Sequence, residues 1–340
     1  MEEIKIIPLQ VRCKNNKQKR LILLVVFFSL IAIVQSGLRD INKLPAGNDT
    51  PTYAYIYSDV ANTSWTTLLK TFTIGEQEYR QRDTGYPLFI KTSQLIYTDF
   101  TFFMFLTAII FFLSFGWIIC KYVKSYLGVI LVFVIYFAIF TNIVNSFMRQ
   151  AIVLGITLFA IRFIISRNWK CYFGLMLVAL SLHSSAIAAF PFYFLPLVST
   201  SKKWLGLSFF ISPILSLFLR SLLLYFLTGS VYDNYVQEDA VNPVNYMLLI
   251  VTMALFGYFY LYKLKEVSDY DILTSAIMGT MLILPVVFMG NTMLRISYYY
   301  VLVLLLTLPN IIDRIKMPKA VRTTTYLLLI SFFIFMIYRQ

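Results

Sequence analysis

CYFGLMLVALSLHSSAIAAFPFYFLPLVST, Cys171 to Thr200, is the stretch on which the fold turns. It is apolar almost throughout, yet it holds the only histidine of the chain, His183, followed by Ser184, Ser185, Pro191 and Pro196. Its length suits one long membrane helix or two short ones. The charges around it separate the two. If it crosses once, Lys202 and Lys203 fall outside, the acidic segment Tyr232–Asp239 inside, and Lys263 and Lys265 outside. If it crosses twice, breaking near His183, then Lys170, Lys202, Lys203, Lys263, Lys265, Arg314, Lys316, Lys319 and Arg322 share the inner side and the acidic segment lies outside. Only the second threading obeys the preference of Lys and Arg for cytoplasmic loops. The serines and prolines supply the polar and helix-breaking groups a hairpin needs, since irregular backbone at depth is tolerated only where it lines a cavity.

The rest of the chain supports a membrane as its solvent. Of 340 residues, 59% are hydrophobic and only 13% charged, against about a quarter charged in soluble domains. Apolar runs long enough to span hydrocarbon recur at Leu21–Ser36, Phe100–Cys120, Tyr126–Thr141, Phe147–Ile165, Trp204–Thr228, Val244–Tyr262, Ile272–Met289, Ile296–Ile312 and Thr324–Tyr338. With the hairpin they predict an all-α polytopic protein of about eleven crossings, multi-pass in the cytoplasmic membrane, with the amino terminus inside. It reads as a single integral membrane domain, 1–340. Within it are a cytoplasmic basic tail at 1–20, a large extracytoplasmic loop at 37–99 and the broken hairpin at 171–200. The net charge of +13 is spread in short clusters between apolar runs, which is topology rather than nucleic-acid binding. Cys13, Cys120 and Cys171 each lie beside basic residues on the reduced, cytoplasmic side and have no metal-ligand spacing.

This threading carries His183 toward the outer face, together with Arg149 at the start of one span, Arg295 just before another, and Arg220 in the outer half of a third. Ionisable groups at membrane depth are costly and therefore candidate functional groups. A histidine alone in an apolar run also has a plain use, as a donor to a neighbouring carbonyl. An arginine at a helix end can simply reach the headgroups. Arg149, with Gln150 beside it, adds guanidinium donors to the free N–H groups of a helix start, which suits a phosphate. Arg295, in Asn291-Thr-Met-Leu-Arg295-Ile-Ser-Tyr298, stands on the side where arginine is depleted. The long outer stretch carries Gly47-Asn-Asp49 with Tyr53 and Tyr57, and Asp83-Thr-Gly85-Tyr86. Taken alone these are turn and helix-cap chemistry. No phosphate loop, dinucleotide fingerprint, zinc-protease motif or serine elbow is present, so an enzyme here would act on a substrate already activated and already in the membrane.

The ordered set, Gly47-Asn-Asp49 and Tyr53, then Asp83-Thr-Gly85-Tyr86, Arg149-Gln150, His183-Ser-Ser-Ala186 and Arg295-Ile-Ser-Tyr298-Tyr299, resembles the EpsG family of exopolysaccharide polymerases, relatives of the Wzy-type polymerases. Where that family often has Glu-Pro-Gly, this chain has Asp83-Thr84-Gly85. The resemblance implies a GT-C-like helical fold and a glycosyltransferase that joins undecaprenyl-pyrophosphate-linked oligosaccharide units into exopolysaccharide, capsule or O-antigen. It implies that Arg149, Arg295 and Arg220 hold the pyrophosphate and that His183, Asp49 or Asp83 accepts the proton of the attacking hydroxyl. Gln150, Tyr53, Tyr86 and Tyr298 would meet the substrate. No cofactor and no metal is implied. The partners implied are the lipid-linked oligosaccharide, membrane lipid, and a chain-length regulator and flippase of the same pathway, with no nucleic acid. An O-antigen ligase-type transferase shares this chemistry. A lipid-linked oligosaccharide flippase would also line a cavity with arginine, but would be expected to show internal repeats. A membrane acyltransferase would use its histidine toward a cytoplasmic donor.

Overall fold

In a computed structural model, which describes residues 16–41, 49–74, 83–227, 244–261, 270–287 and 291–338, every regular element is helical. The first part comprises α1 (Asn16–Gly37), α2 (Thr50–Asn62), α3 (Trp65–Ile74), α4 (Gly85–Gln94) and α5 (Phe100–Tyr122). Next come α6 (Tyr126–Ile135), a π-turn at Tyr136–Phe140, α7 (Asn142–Asn145), α8 (Met148–Ile165) and α9 (Trp169–Leu182). A 3-10 run at Ser184–Tyr193 leads to α10 (Leu195–Ser199), α11 (Lys202–Leu227), α12 (Val244–Leu261) and α13 (Tyr270–Val287). The chain ends in α14 (Asn291–Leu294), a 3-10 turn at Arg295–Ser297, α15 (Tyr298–Leu304), α16 (Thr307–Arg314) and α17 (Lys319–Tyr338).

Six helical stretches among the described residues are long and apolar enough to cross a membrane: α1, α5, α8, α12, Arg295–Arg314 and α17. Three shorter apolar ones, Tyr126–Phe140, Trp169–Leu182 and Asp271–Val287, join them. The outward faces of α1 and α17 present Leu23, Phe27, Leu30, Leu327, Leu328 and Phe332. Such a perimeter suits hydrocarbon and not water. The chain is therefore a multi-pass helical membrane protein.

Close helix approach in lipid relies on small residues at the contact. Gly155 of α8 meets α5 so tightly that a Cβ there would lie 2.9 Å from the carbonyl oxygen of Ile110. The pairing directions divide the bundle into two ends. Lys17 and Leu21 at the start of α1 line one cleft with Cys120, Val123 and Lys124 at the end of α5. Arg162, near the end of α8, lies 5.2 Å from the ring of Trp117 at that same end. There too Tyr326 of α17 bonds Asp313 and Ser125. This is the basic end: α5 and α8 run toward it in parallel, and α1 runs away from it, antiparallel to both.

At the basic end Arg167 (φ 55°) makes the left-handed link from α8 to α9, and Asn168 caps α9 by accepting from the Cys171 N–H at 3.1 Å. Fourteen residues of α9 rise about 21 Å and deliver His183 to the opposite end. His183 itself is extended (φ −160°, ψ 123°). The 3-10 run and α10 then lead back until Ser199 meets Thr274 and Ser275 near the start of α13.

Two stretches differ from their outline in the sequence. The outer segment 37–99, read as a loop, is helical in α2, α3 and α4, with Pro51 in the first turn of α2, where its missing N–H costs nothing. The span expected at Tyr126–Thr141 leaves the α form after Ile135 and passes through the π-turn into α7. The break at Ser146–Phe147 then restarts the chain as α8 with Arg149 in its first turn.

Candidate active site

Asp83 stands two residues before α4, in front of Gly85. A Cβ at Gly85 would sit 2.5 Å from Ser181 Oγ and 2.9 Å from the Ser181 carbonyl, so only glycine lets the start of α4 seat on the end of α9. That seating carries the Asp83 carboxylate to the break at His183. Oδ1 accepts the Ser184 N–H at 2.8 Å, capping the 3-10 run from a segment a hundred residues away. Oδ2 lies 2.9 Å from His183 Nδ1 and accepts from Arg149 Nη1 at 2.7 Å. The Asp83 side chain is 3% exposed, and those of His183 and Arg149 about a quarter.

Burial alone would raise the Asp83 carboxyl, but the His183 hydrogen bond and charge, then the Arg149 guanidinium and the Ser184 N–H, outweigh it. The carboxyl is held below the ordinary carboxylate range. Both its oxygens are engaged. Asp83 is thus a fixed anion that orients the Arg149 guanidinium and the His183 ring, and is a poor proton acceptor. His183 Nε2 has no hydrogen-bond partner among the described residues.

Arg149 is enclosed by aromatic rings. Tyr53 of α2 and Tyr86 of α4 each lie 5.7 Å from its guanidinium carbon, and the two rings meet edge to face at 6.1 Å. Both tyrosines are buried. The Tyr86 hydroxyl and Arg149 Nε are enclosed without a hydrogen-bond partner among the described residues.

Arg295 forms the second arm. Its Nη1 lies 3.6 Å from Asp49 Oδ2, and its guanidinium stacks 3.6 Å from the ring of Phe147. Asp49 is placed by the next residue, as the Thr50 hydroxyl donates to the Asn145 carbonyl at 2.6 Å. Gln150 ties the two arms together, its amide donating to the Arg295 carbonyl at 2.7 Å. Tyr298 is buried against Phe140 and Tyr246, and Tyr299 bonds Ser185 at 2.8 Å.

The structure thus gathers His183, Asp83, Arg149, Gln150, Tyr53 and Tyr86 around one centre, with Asp49 and Arg295 beside it through Gln150. Tyr298 packs behind Arg295. The Arg220 side chain lies outside the described residues, although its backbone belongs to α11. Sequence reasoning named Ser184, Ser185 and Gly85 within motifs without giving them these contacts, and it missed Phe147 and Thr50. Phe147 and Thr50 each sit within two residues of a singled-out group, which is the only signal they carried. Among the described residues no group of three His, Cys, Asp or Glu side chains could hold a metal ion.

Fold and site together define a multi-pass helical membrane protein with a cluster of arginine, carboxylate and imidazole groups at the end opposite its basic one. The EpsG family model matches residues 20–339, nearly the whole chain, and the chain belongs to that family. The family is a glycosyltransferase-like one, with exopolysaccharide polymerase-like function. No curated protein and no solved structure matches the chain.

Proposed function

We propose that this protein polymerises lipid-linked oligosaccharide units into an extracellular polysaccharide, on the outer side of the cytoplasmic membrane. The observation that carries this reading is the buried Asp83 shared by His183 and Arg149, with Arg295 alongside. The clustering of Lys and Arg at the opposite end favours that end as cytoplasmic, with the amino terminus inside and the site outside. A GT-C-type arrangement with about eleven crossings fits this threading.

In this reading a sugar hydroxyl of the incoming unit attacks the anomeric carbon of the growing chain. The bond from that carbon to the pyrophosphate oxygen breaks, and undecaprenyl pyrophosphate leaves. Asp83 holds the proton of His183 on Nδ1, so the Nε2 lone pair accepts the hydroxyl proton. Arg295, loosely paired and stacked on Phe147, takes the negative charge of the leaving pyrophosphate, and Arg149 adds to the positive field. The arginines supply the charge that a metal supplies in other transferases. A flippase would act before this step, and a chain-length regulator would limit how often it repeats.

The test is purified protein given a lipid-linked repeat unit. A ladder of products with release of lipid pyrophosphate is expected, and His183→Ala should remove it while the protein stays in the membrane. Transfer of a single unit without a ladder would overturn polymerisation in favour of ligase-type transfer. Full activity of His183→Ala would overturn the assignment of the base.

A further inference from the structure

Arg39 lies two residues beyond the end of α1, where none of the motifs above reaches. Its Nη1 donates to the carbonyl of Ser36 in the last turn of that helix, an ordinary use of a cation at a helix carboxyl end. The other two nitrogens, Nε and Nη2, are enclosed and have no hydrogen-bond partner among the described residues. Burial lowers the guanidinium to about 10, and no carboxylate contributes to offset it. Enclosed donors on a cation are costly unless an anion meets them.

The position says where such an anion comes from. Because α1 and α8 run antiparallel, the end of α1 and the start of α8 share one end of the bundle, so Arg39 is at the same end as Arg149. On α1, Leu30, Ile31, Val34 and Leu38 are 54%, 42%, 48% and 67% exposed, so this helix borders lipid right up to the arginine. Gly37 closes the inner side, where a Cβ would lie 2.5 Å from the Phe105 ring. Arg39 therefore stands, partly exposed, at the end of this lipid-bordering strip and at headgroup depth. We propose that the Arg39 side chain turns outward to hold a phosphate group carried by a lipid of that leaflet, which frees Nε and Nη2 from their enclosure to act as the donors. The lipid is either a glycerophospholipid or the pyrophosphate lipid of a saccharide substrate. Only the second source rests on the polymerase reading; the site itself does not.

Native mass spectrometry of the detergent-purified full chain tests this, with phosphatidylglycerol and undecaprenyl pyrophosphate titrated separately. Arg39→Gln should weaken binding of at least one of them by about tenfold, the size of a lost charge-assisted hydrogen bond. Arg39→Lys, which keeps the charge but not the fork, should fall between. A loss confined to phosphatidylglycerol identifies a bound bilayer lipid, and one confined to undecaprenyl pyrophosphate identifies a substrate subsite; either supports the site. Equal affinity of wild type, Arg39→Gln and Arg39→Lys for both lipids would overturn it. If Arg39→Gln does not fold, the wild type against Arg39→Lys decides. A null result here beside an intact product ladder would leave the polymerase reading standing.

Discussion

Asp83–Arg149 and Asp49–Arg295 are both carboxylate–guanidinium pairs at the same end of the bundle, and they are built for different work. The first is short, 2.7 Å, with a carboxylate 3% exposed that also serves His183 and the Ser184 N–H. The second is long, 3.6 Å, with side chains 33% and 43% exposed. A buried pair cannot lose one partner without stranding the other, whereas an exposed pair contributes little to stability. The comparison separates a fixed centre that positions groups from a cation whose counter-ion is easily exchanged for a substrate's phosphate.

The largest expected effect breaks the pairs one at a time. Asp83→Ala should lower stability by about 3 kcal/mol, the low end for a broken buried pair because Arg149 keeps some access to solvent. Asp49→Ala should cost less than about 1 kcal/mol. The thermal midpoint of each variant in one detergent is the measurement, and equal losses would dissolve the distinction between the pairs.

Turnover should show the opposite emphasis. Arg295→Ala is expected to lose about a hundredfold in polymer formation, the scale of one lost transition-state donor, with an unchanged melting midpoint. Arg149→Ala should lose both activity and stability, since it leaves Asp83 with one cation fewer. If Arg295→Ala melts early, Arg295 belongs to the scaffold and the division of labour is wrong.

A smaller effect tests the link between the two arms. Gln150→Leu removes the donor to the Arg295 carbonyl, worth about 1 kcal/mol in a neutral hydrogen bond. A several-fold loss of turnover is expected, with the Asp83 centre intact. If turnover is unchanged, Arg295 is positioned by Phe147 alone.

Much of this architecture is readable in the residues, for reasons that also mark where reading stops. The spans announce themselves through apolar length, and the break at His183 through the alternation of Lys and Arg clusters. Arg149, Arg295 and His183 stand out because a charge or imidazole there is costly. Their pairing is different. Asp83 reaches His183 only because Gly85 admits Ser181 at van der Waals distance, a contact between segments nearly a hundred residues apart with no local periodicity to reveal it. The helices α2 and α4 are short and half-polar, so turn residues such as Pro51 and Pro87 dominate their sequence pattern. Arg39 carries no signal in the sequence, because an orphaned donor is a property of packing.

The finest test is the pH dependence of the fixed centre. An unfolded aspartate titrates near about 3.9, and Asp83 lies below its ordinary value in the folded protein. A depressed carboxyl contributes stability that is complete above the unfolded value and is lost as pH falls through the folded one. The part of the stability gap between wild type and Asp83→Asn that comes from the Asp83 charge should therefore be complete above about pH 4 and narrow below it, because protonated Asp83 is nearly the isostere of asparagine. Thermal midpoints from pH 7 down to 3 read this directly. A gap that persists at the acid end would mean that Asp83 acts through shape and its Ser184 hydrogen bond, and its negative charge would then not be what holds Arg149 and His183 together.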